Sequence, residues 1–405
     1  MKKQANIRYF TALAILLAAG MSLYWYSTGL PLPEAINIFA AILLAGLPIP
    51  LWLSRPIALA RGAKRAAKED IVLASPAVIA ETAKIDTLAV AKDGITTEGR
   101  PYVAALVPEG ISQGALLALA ASAVRDSSQP LYQAIYQTAI ERRLHLQRLS
   151  AANEFPGYGV EALINRSPLR VGRGEWLQEE GIEISANLLT KADQLSQRGQ
   201  TAVFVANDKY CRGIIAMADE IPQDNITAFH KFHRQRLKLV LLTSDSRRTA
   251  NAVRKQAAID EAHANLSPQD KVREIQLLRA HGATLAMAGN PATDMPAMNA
   301  ADLSIHVGTL PENPPTEDGT PAPPAFSVIL KSGKLWDFSS LLTISRNTMG
   351  IVKANRIIAI IAWLILLPPA LGLLHVFGGP FLPPFCAAAG QLIAAILILL
   401  NSMRA

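Results

Sequence analysis

The 405-residue sequence contains two cysteines, Cys211 and Cys386, too few and too far apart for a disulfide framework or a zinc site. Charged residues make up only 18% of it and aromatics 6%, whereas an ordinary soluble domain carries about 25% charge. Half of the chain is apolar instead, which excludes a disordered protein and leans toward a membrane protein. Internal repeats are absent. Two loops, 28–35 and 378–384, contain no Lys or Arg at all.

The apolar excess sits in four segments. Residues 9–27 and 36–54 each run about 19 residues without a charge, enough to cross a hydrocarbon core of about 30 Å, and 357–377 and 385–400 form a second pair. Lys2, Lys3 and Arg8 precede the first segment, but no small-residue cleavage site follows it, so an anchor is expected rather than a signal peptide. If the four segments cross as two hairpins, Lys2, Lys3, Arg8, Arg55, Arg61, Lys64, Arg65, Lys68, Lys353, Arg356 and Arg404 fall on one side, and the basic-free loops fall on the other. Both termini and the long middle region are therefore expected in the cytoplasm of a bacterium, on its inner membrane. The net charge of +7 is accounted for by these flanks meeting the lipid bilayer, and nucleic acid is not an expected partner.

Between the pairs, short apolar runs alternate with amphipathic stretches: LAVA before Asp93, TAVFVA at Thr201, KLVLLTSD ending on Asp245, ATLAMAGN ending on Asn290 and ADLSIHVG ending on Gly308. Helical patterns such as 246–258 separate them, which predicts a parallel sheet covered by helices. In such sheets the working residues sit on the loops leaving the strands, here AKDG, TSDS and GNPATD. The stretch 100–201 interrupts the series and reads as an inserted domain, while 309–326 is a Pro-rich polar loop. His230 and His233 have helical spacing but no third ligand nearby, so a solvated face is expected.

From about residue 36 onward the order of these pieces resembles the heavy-metal-transporting branch of the P-type ATPases. That family carries Cys-Pro-Cys in a membrane helix with Thr-Pro eight residues on; here Leu47-Pro48-Ile49 is followed by Arg55-Pro56 at the same spacing. Aligned on Thr97-Glu98-Gly99, the family's Asp-Lys-Thr-Gly-Thr signature puts its nucleophilic Asp on Ala91, keeps Lys92 and Gly94, and sets Asp93 and Ile95 on the two Thr positions. Ser127-Ser128-Gln129-Pro130 stands for Ser-Glu-His-Pro, and Gly157 and Gly159 for the glycine turn over the nucleotide. Thr243 and Asp245 match Thr-Gly-Asp, and Lys271 matches the lysine that neutralises phosphoryl charge. Asn290 and Thr293 replace an Asp and an Asn of the magnesium loop, of which Asp294 and Pro296 persist.

The resemblance implies an α/β haloacid-dehalogenase-like cytoplasmic domain with a Rossmann-like parallel sheet, built from 83–99 and 202–308. It implies an inserted α+β nucleotide-binding-type domain at 100–201, on a four-helix membrane anchor made of hairpins at 1–60 and 340–405. ATP is the implied nucleotide, with weak or absent Mg2+ because two carboxylates of its site are missing, and no transition metal, because Leu47 and Ile49 supply no thiolate. Ala362-Trp363, Gln391 and Ala394-Ala395 stand where the family keeps polar groups in its last helices. No counterpart of the actuator domain is expected. Since a methyl group cannot attack a γ-phosphoryl, the expected function is that of a degenerate pseudoenzyme, a regulatory, assembly or scaffold subunit partnered by a membrane protein or a second copy of itself.

Two other classes stay open: one half of a split transporter completed by a partner chain, and a phosphatase using Asp93. Proline-induced kinking at Pro48 and Pro50 is read as packing against Pro368-Pro369. Plain turn or helix-cap roles for Asp93, Asp245 and Asp294 remain open beside the retained phosphate pocket.

Overall fold

The structure, a computed structural model, describes residues 2–309 and 326–405 except 48, 150, 156, 165 and 166, with side chains described from residue 11. Pro48 and the core of the Pro-rich loop thus lie outside the described residues. The chain divides into two compact units: Met1–Glu69 with Ser75–Ala83 and Ser340–Ala405, and Asp70–Ala74 with Lys84–Ser339.

The first unit is helical: Lys2–Ser27, Leu32–Gly46, Ile49–Ala67, Asp337–Ala370 and Pro384–Ser402, with short helices at Val78–Thr82 and Leu373–Val376. Among the described residues, three stretches are long and apolar enough to cross a membrane: Leu32–Ala67, Asp337–Ala370 and Pro384–Ser402, with mean hydropathies of 2.1, 1.9 and 1.9. Thr11–Ser27 is a shorter apolar helix within the first element. Two of the four expected segments need correcting. The one at 36–54 is not continuous, because Leu47 turns extended (φ −74°, ψ 118°) and the chain restarts as Ile49–Ala67. The one at 357–377 belongs to a 34-residue helix that begins at Asp337 and stops at Ala370, where Pro368 and Pro369 remove amide donors and Gly372 takes φ +92°. Small side chains line the bundle interior (Ala18, Ala41, Ala45, Ala370, Ala387), letting helices approach closely, while Leu13, Leu16, Ile365 and Leu392 face outward.

The second unit holds two sheets. The first has the strand order Ile71–Leu73, Val328–Leu330, Leu303–Val307, Leu285–Ala288, Thr87–Ala91, Lys238–Leu242, Glu261–His263, all parallel except the first. Thr87–Ala91 lies in the middle and all five of its residues are buried, as the near-continuous apolar run of a strand covered on both faces requires. Helices Gln223–Arg234, Arg247–Gln256, Pro268–Ala280 and Pro291–Ala300 cover it, packing Met298, Ile275 and Phe229 into its core.

The second sheet is antiparallel, in the order Tyr102–Pro108, Tyr210–Ala218, Thr201–Asn207, Ser167–Gly172, Gly159–Ile164, Ala152–Phe155. The strand at Thr201, expected in the parallel sheet, pairs here instead: Val203 opposes Ile215 across a hairpin whose turn holds Asp208 at φ +59°. The inserted domain therefore reaches Ala218 rather than residue 201. An apolar run of this length has no periodicity that separates a parallel core strand from a hairpin strand buried on both faces. Leu116, Leu117 and Ile135 fill one side of this sheet, and Trp176, Leu188 and Phe204 the other.

Candidate functional site

The loop leaving the central strand is built by cross-bracing. Thr96 Oγ1 donates to the Ala91 carbonyl at 2.8 Å, and Thr97 Oγ1 donates to the Lys92 carbonyl at 3.0 Å. Asp219 gathers Thr97 Oγ1 (2.6 Å) and the backbone N–H groups of Gly99 (3.1 Å) and Arg100 (3.2 Å), while Asn225 Nδ2 donates to the Ile95 carbonyl at 2.8 Å. These ties fix Ala91 at the strand's last position with its methyl buried.

Lys92, 7% exposed, turns its ammonium onto Asp245 at the end of the neighbouring strand and reaches Asp93 Oδ1 at 3.3 Å. Asp245 is further held by Thr243 Oγ1 and by Thr201 Oγ1, each at 3.1 Å. Burial alone would pull the lysine's pKa down, but the Asp245 and Asp93 charges outweigh it, so the ammonium lies above its ordinary value. Burial works against the Asp245 carboxylate as well, and Lys92 with the two hydroxyls overcomes it, holding the carboxyl below the usual range. The Asp93 carboxylate is 67% exposed.

A second pair lies on the helices that follow later strands. Lys271 Nζ donates to Asp294 Oδ1 at 2.7 Å, and Asp294 Oδ2 accepts the Asn290 backbone N–H at 3.0 Å. Asp294 is 2% exposed and Lys271 9%. Among the described residues, no hydrogen bond or ion pair joins this pair to the Lys92 cluster. The cap roles left open for the aspartates fall to their neighbours. Ser246 caps Arg247–Gln256, Asn290 Oδ1 accepts from Ala292 N at 3.0 Å to cap Pro291–Ala300, and Asp294 lies one turn inside.

In the inserted domain, Gln129 precedes Pro130 at the start of Pro130–Glu141, and its amide donates to Glu154. Gly157 takes φ +84° in the turn between two strands, with open space where a side chain would stand. Gly159 is different: a Cβ there would meet Trp176 Cζ3 and the Val171 carbonyl at 2.5 Å each, so strand pairing alone demands glycine.

In the membrane unit the break after Gly46 frees carbonyls, and side chains from other helices take them. Gln391 Nε2 donates to the Ala45 carbonyl at 3.0 Å and Trp363 Nε1 to the Gly46 carbonyl at 3.4 Å. Leu47 is half-buried and Ile49 is 41% exposed. Asn355, fully buried, donates to Ser402 Oγ at 2.8 Å and accepts from Asn401 Nδ2 at 2.8 Å.

The structure thus unites Lys92, Asp93, Thr243 and Asp245, places Lys271 with Asp294, and sets Gln129, Pro130, Gly157 and Gly159 in the other sheet. Thr201, Asp219 and Asn225 escape the motif-based reading because each reaches the central loop from more than a hundred residues away along the chain, or in Thr201's case reaches Asp245 from another sheet. The donor set does not fit Mg2+. Asp245 is held by an ammonium and two hydroxyls and Asp294 by an ammonium and an amide, while Asp93, mostly exposed, meets Lys92 on one oxygen, so few hard oxygens stand open where a magnesium site needs several.

A family model described as haloacid dehalogenase-like hydrolase matches residues 85–302, more than half of the chain. A copper-transporting ATPase of Rhizobium meliloti is 30% identical over 401 residues, covering 98% of this chain and 47% of that protein. A silver exporting P-type ATPase of Salmonella typhimurium is 30% identical over 402 residues, again 98% of this chain and 47% of the relative. Among solved structures, a zinc-transporting PIB-type ATPase in its E2.Pi state superposes with a TM-score of 0.67 at 27% identity, over 98% of this chain and 62% of that one. The chain spans about half the length of the curated relatives it matches.

Proposed function

The chain belongs to the haloacid dehalogenase-like hydrolases and, among them, to the heavy-metal branch of the P-type ATPases; from that premise we propose that it is a catalytically silent member, a membrane-bound regulatory, assembly or scaffold subunit. One observation carries the reading. The central strand ends on the buried methyl of Ala91, and the adjoining Lys92 ammonium is closed onto Asp245. Phosphoryl transfer to the protein needs a nucleophile there, and a charge clamp on the transferring group. Neither is offered by a methyl group or by a lysine whose charge is already matched by two carboxylates.

Residual nucleotide binding belongs to the inserted domain. Gln129, Pro130 and the open turn at Gly157 would face a base, and Gly159 supports them by keeping the strand pair closed. Leu47 and Ile49 offer no thiolates where a Cys-Pro-Cys would stand, and the carbonyls freed at the break are occupied by Gln391 and Trp363, which supports an anchoring role without transport. The basic flanks support a bacterial inner-membrane location with cytoplasmic termini. The partner would be another membrane protein or a second copy.

The test is steady-state hydrolysis by the full chain reconstituted in lipid, with Mg2+ and with ATP or a small phosphoester. The expected rate equals that of the Lys271→Ala variant for both. Magnesium-dependent turnover abolished by Asp93→Asn would replace this reading with that of a phosphatase.

A further inference from the structure

We infer that the membrane unit carries a binding site for the head group of an anionic phospholipid, between the helix Ile49–Ala67 and the end of the helix Pro384–Ser402. Arg61, Lys64, Arg65 and Lys68 follow one another at i, i+3, i+4 and i+7, so they form a single stripe on one helical face. All four are exposed, and among the described residues none is paired with a carboxylate. Several exposed or half-buried cations elsewhere do meet acids: Arg170 meets Glu161 at 2.6 Å, Lys238 meets Glu261 at 2.8 Å and Arg279 meets Asp302 at 2.7 Å. Like charges at these spacings repel, and an anion laid across them relieves all the repulsions together.

The stripe cannot turn away. On the adjoining face of the same helix Ala58, Gly62 and Ala66 are buried, and a Cβ on Gly62 would meet Thr348 Oγ1 at 2.6 Å, so that face is pressed against Asp337–Ala370 while the cations beside it stay exposed. All four line a concavity of about 420 Å³ together with Met403 and Ala405, and Glu69 is the acidic side chain in its lining. Met403 directly follows a 19-residue apolar helix of about 28 Å, the thickness of the hydrocarbon core, so the concavity opens at the level of the head groups. The same terminal turn borders a groove of about 570 Å³ lined by Ala354, Ile357, Ile358, Leu397 and Leu400, with Arg404 at its polar end. Phosphate against the stripe and an acyl chain along such a groove is the division that a phospholipid presents, and a basic pocket beside membrane helices is the form this recognition takes.

The experiment titrates the detergent-solubilised full chain with phosphatidylglycerol or phosphatidylcholine and follows thermal unfolding by tryptophan fluorescence. Phosphatidylglycerol is expected to raise the midpoint saturably, and phosphatidylcholine to leave it unmoved. Removing two cations in Arg65→Gln/Lys68→Gln should weaken the apparent affinity about thirtyfold, at about 1 kcal/mol per charge. The Arg65→Lys/Lys68→Arg variant should restore it, and Lys353→Gln/Arg356→Gln, exposed cations that do not line the concavity, should bind as the parent does. Equal losses in the two neutralised variants would reduce the effect to diffuse surface charge, and an equal shift with inorganic phosphate would assign the stripe to a free anion. Either result overturns the proposal.

Discussion

The C-terminal edge of the parallel sheet and the interior of the membrane bundle both bury polar groups, and they stabilise them differently. At the sheet edge the buried groups are full charges, and each has an opposite charge and further donors: Asp245 holds Lys92 and two hydroxyls, Asp294 holds Lys271 and an amide. In the bundle they are neutral amides, Asn355 and Gln391, bonded to the half-buried Asn401, to a hydroxyl or to a helix carbonyl. A charge in hydrocarbon is far costlier than an amide, and backbone carbonyls freed by a broken helix need donors. The difference teaches that buried polarity is held by charge pairing at the sheet edge and by neutral donors in the bundle. At the sheet edge matched charges surround the buried methyl of Ala91, and in the bundle amide donors take the carbonyls that the helix break leaves free.

Breaking one partner should cost most where charge is buried deepest. Lys271→Ala leaves Asp294 buried and unpaired, and chemical denaturation of the full chain should register a loss of about 3–5 kcal/mol; a neutral result would mean that the pair is hydrated. Lys92→Met should cost less than Lys271→Ala, since Asp245 retains Thr201 and Thr243 as donors. The same pair sets a pH window. The depressed Asp245 pKa contributes stability present above the unfolded value of about 3.9 and lost as pH falls through the lower folded value. The raised Lys92 pKa contributes stability present below about 10.4 and lost as pH rises through the higher folded value. This pair should therefore add no pH dependence to the unfolding midpoint between about pH 5 and 9, and Lys92→Met should remove its contribution on both flanks.

Gly159→Ala forces a methyl against Trp176 and Val171 and should cost about 1–3 kcal/mol whether or not nucleotide is present. If it changed ATP affinity and left stability intact, the packing account of that glycine would fail. Smallest of all should be Gln391→Leu in the bundle, about 0.6 kcal/mol by the usual scale of side-chain hydrogen bonds between membrane helices, measured by unfolding in mixed micelles. A loss as large as that of Lys271→Ala would erase the contrast between the two regions.

Much of this arrangement was legible in the residues. The runs ending on Ala91, Leu242 and Ala288 announce adjacent parallel strands because each is short, apolar and followed by a polar turn. That put Lys92, Asp93, Thr243, Asp245 and Asp294 on one edge of the sheet, and the 3.6-residue stripe at 61–68 is equally plain. What sequence could not supply was partnership over distance. TAVFVA looks the same in either sheet, Asp219 carries no local motif, and the capping of Pro291–Ala300 by Asn290 rather than Asp294 depends on where the helix starts. The helix break at Leu47 was signalled by two prolines, but which donors take the freed carbonyls depends on helices more than three hundred residues away.

The most direct measurement traps the phosphorylated protein. The full chain is incubated in lipid with γ-labelled ATP and Mg2+, quenched in acid, and assayed for label retained on the protein. The account predicts none, in the parent chain and in Asp93→Asn alike, because no carboxylate stands at the end of the central strand. Acid-stable, hydroxylamine-labile label on the parent chain, absent from Asp93→Asn, would show that this edge still performs phosphoryl transfer and would contradict the account.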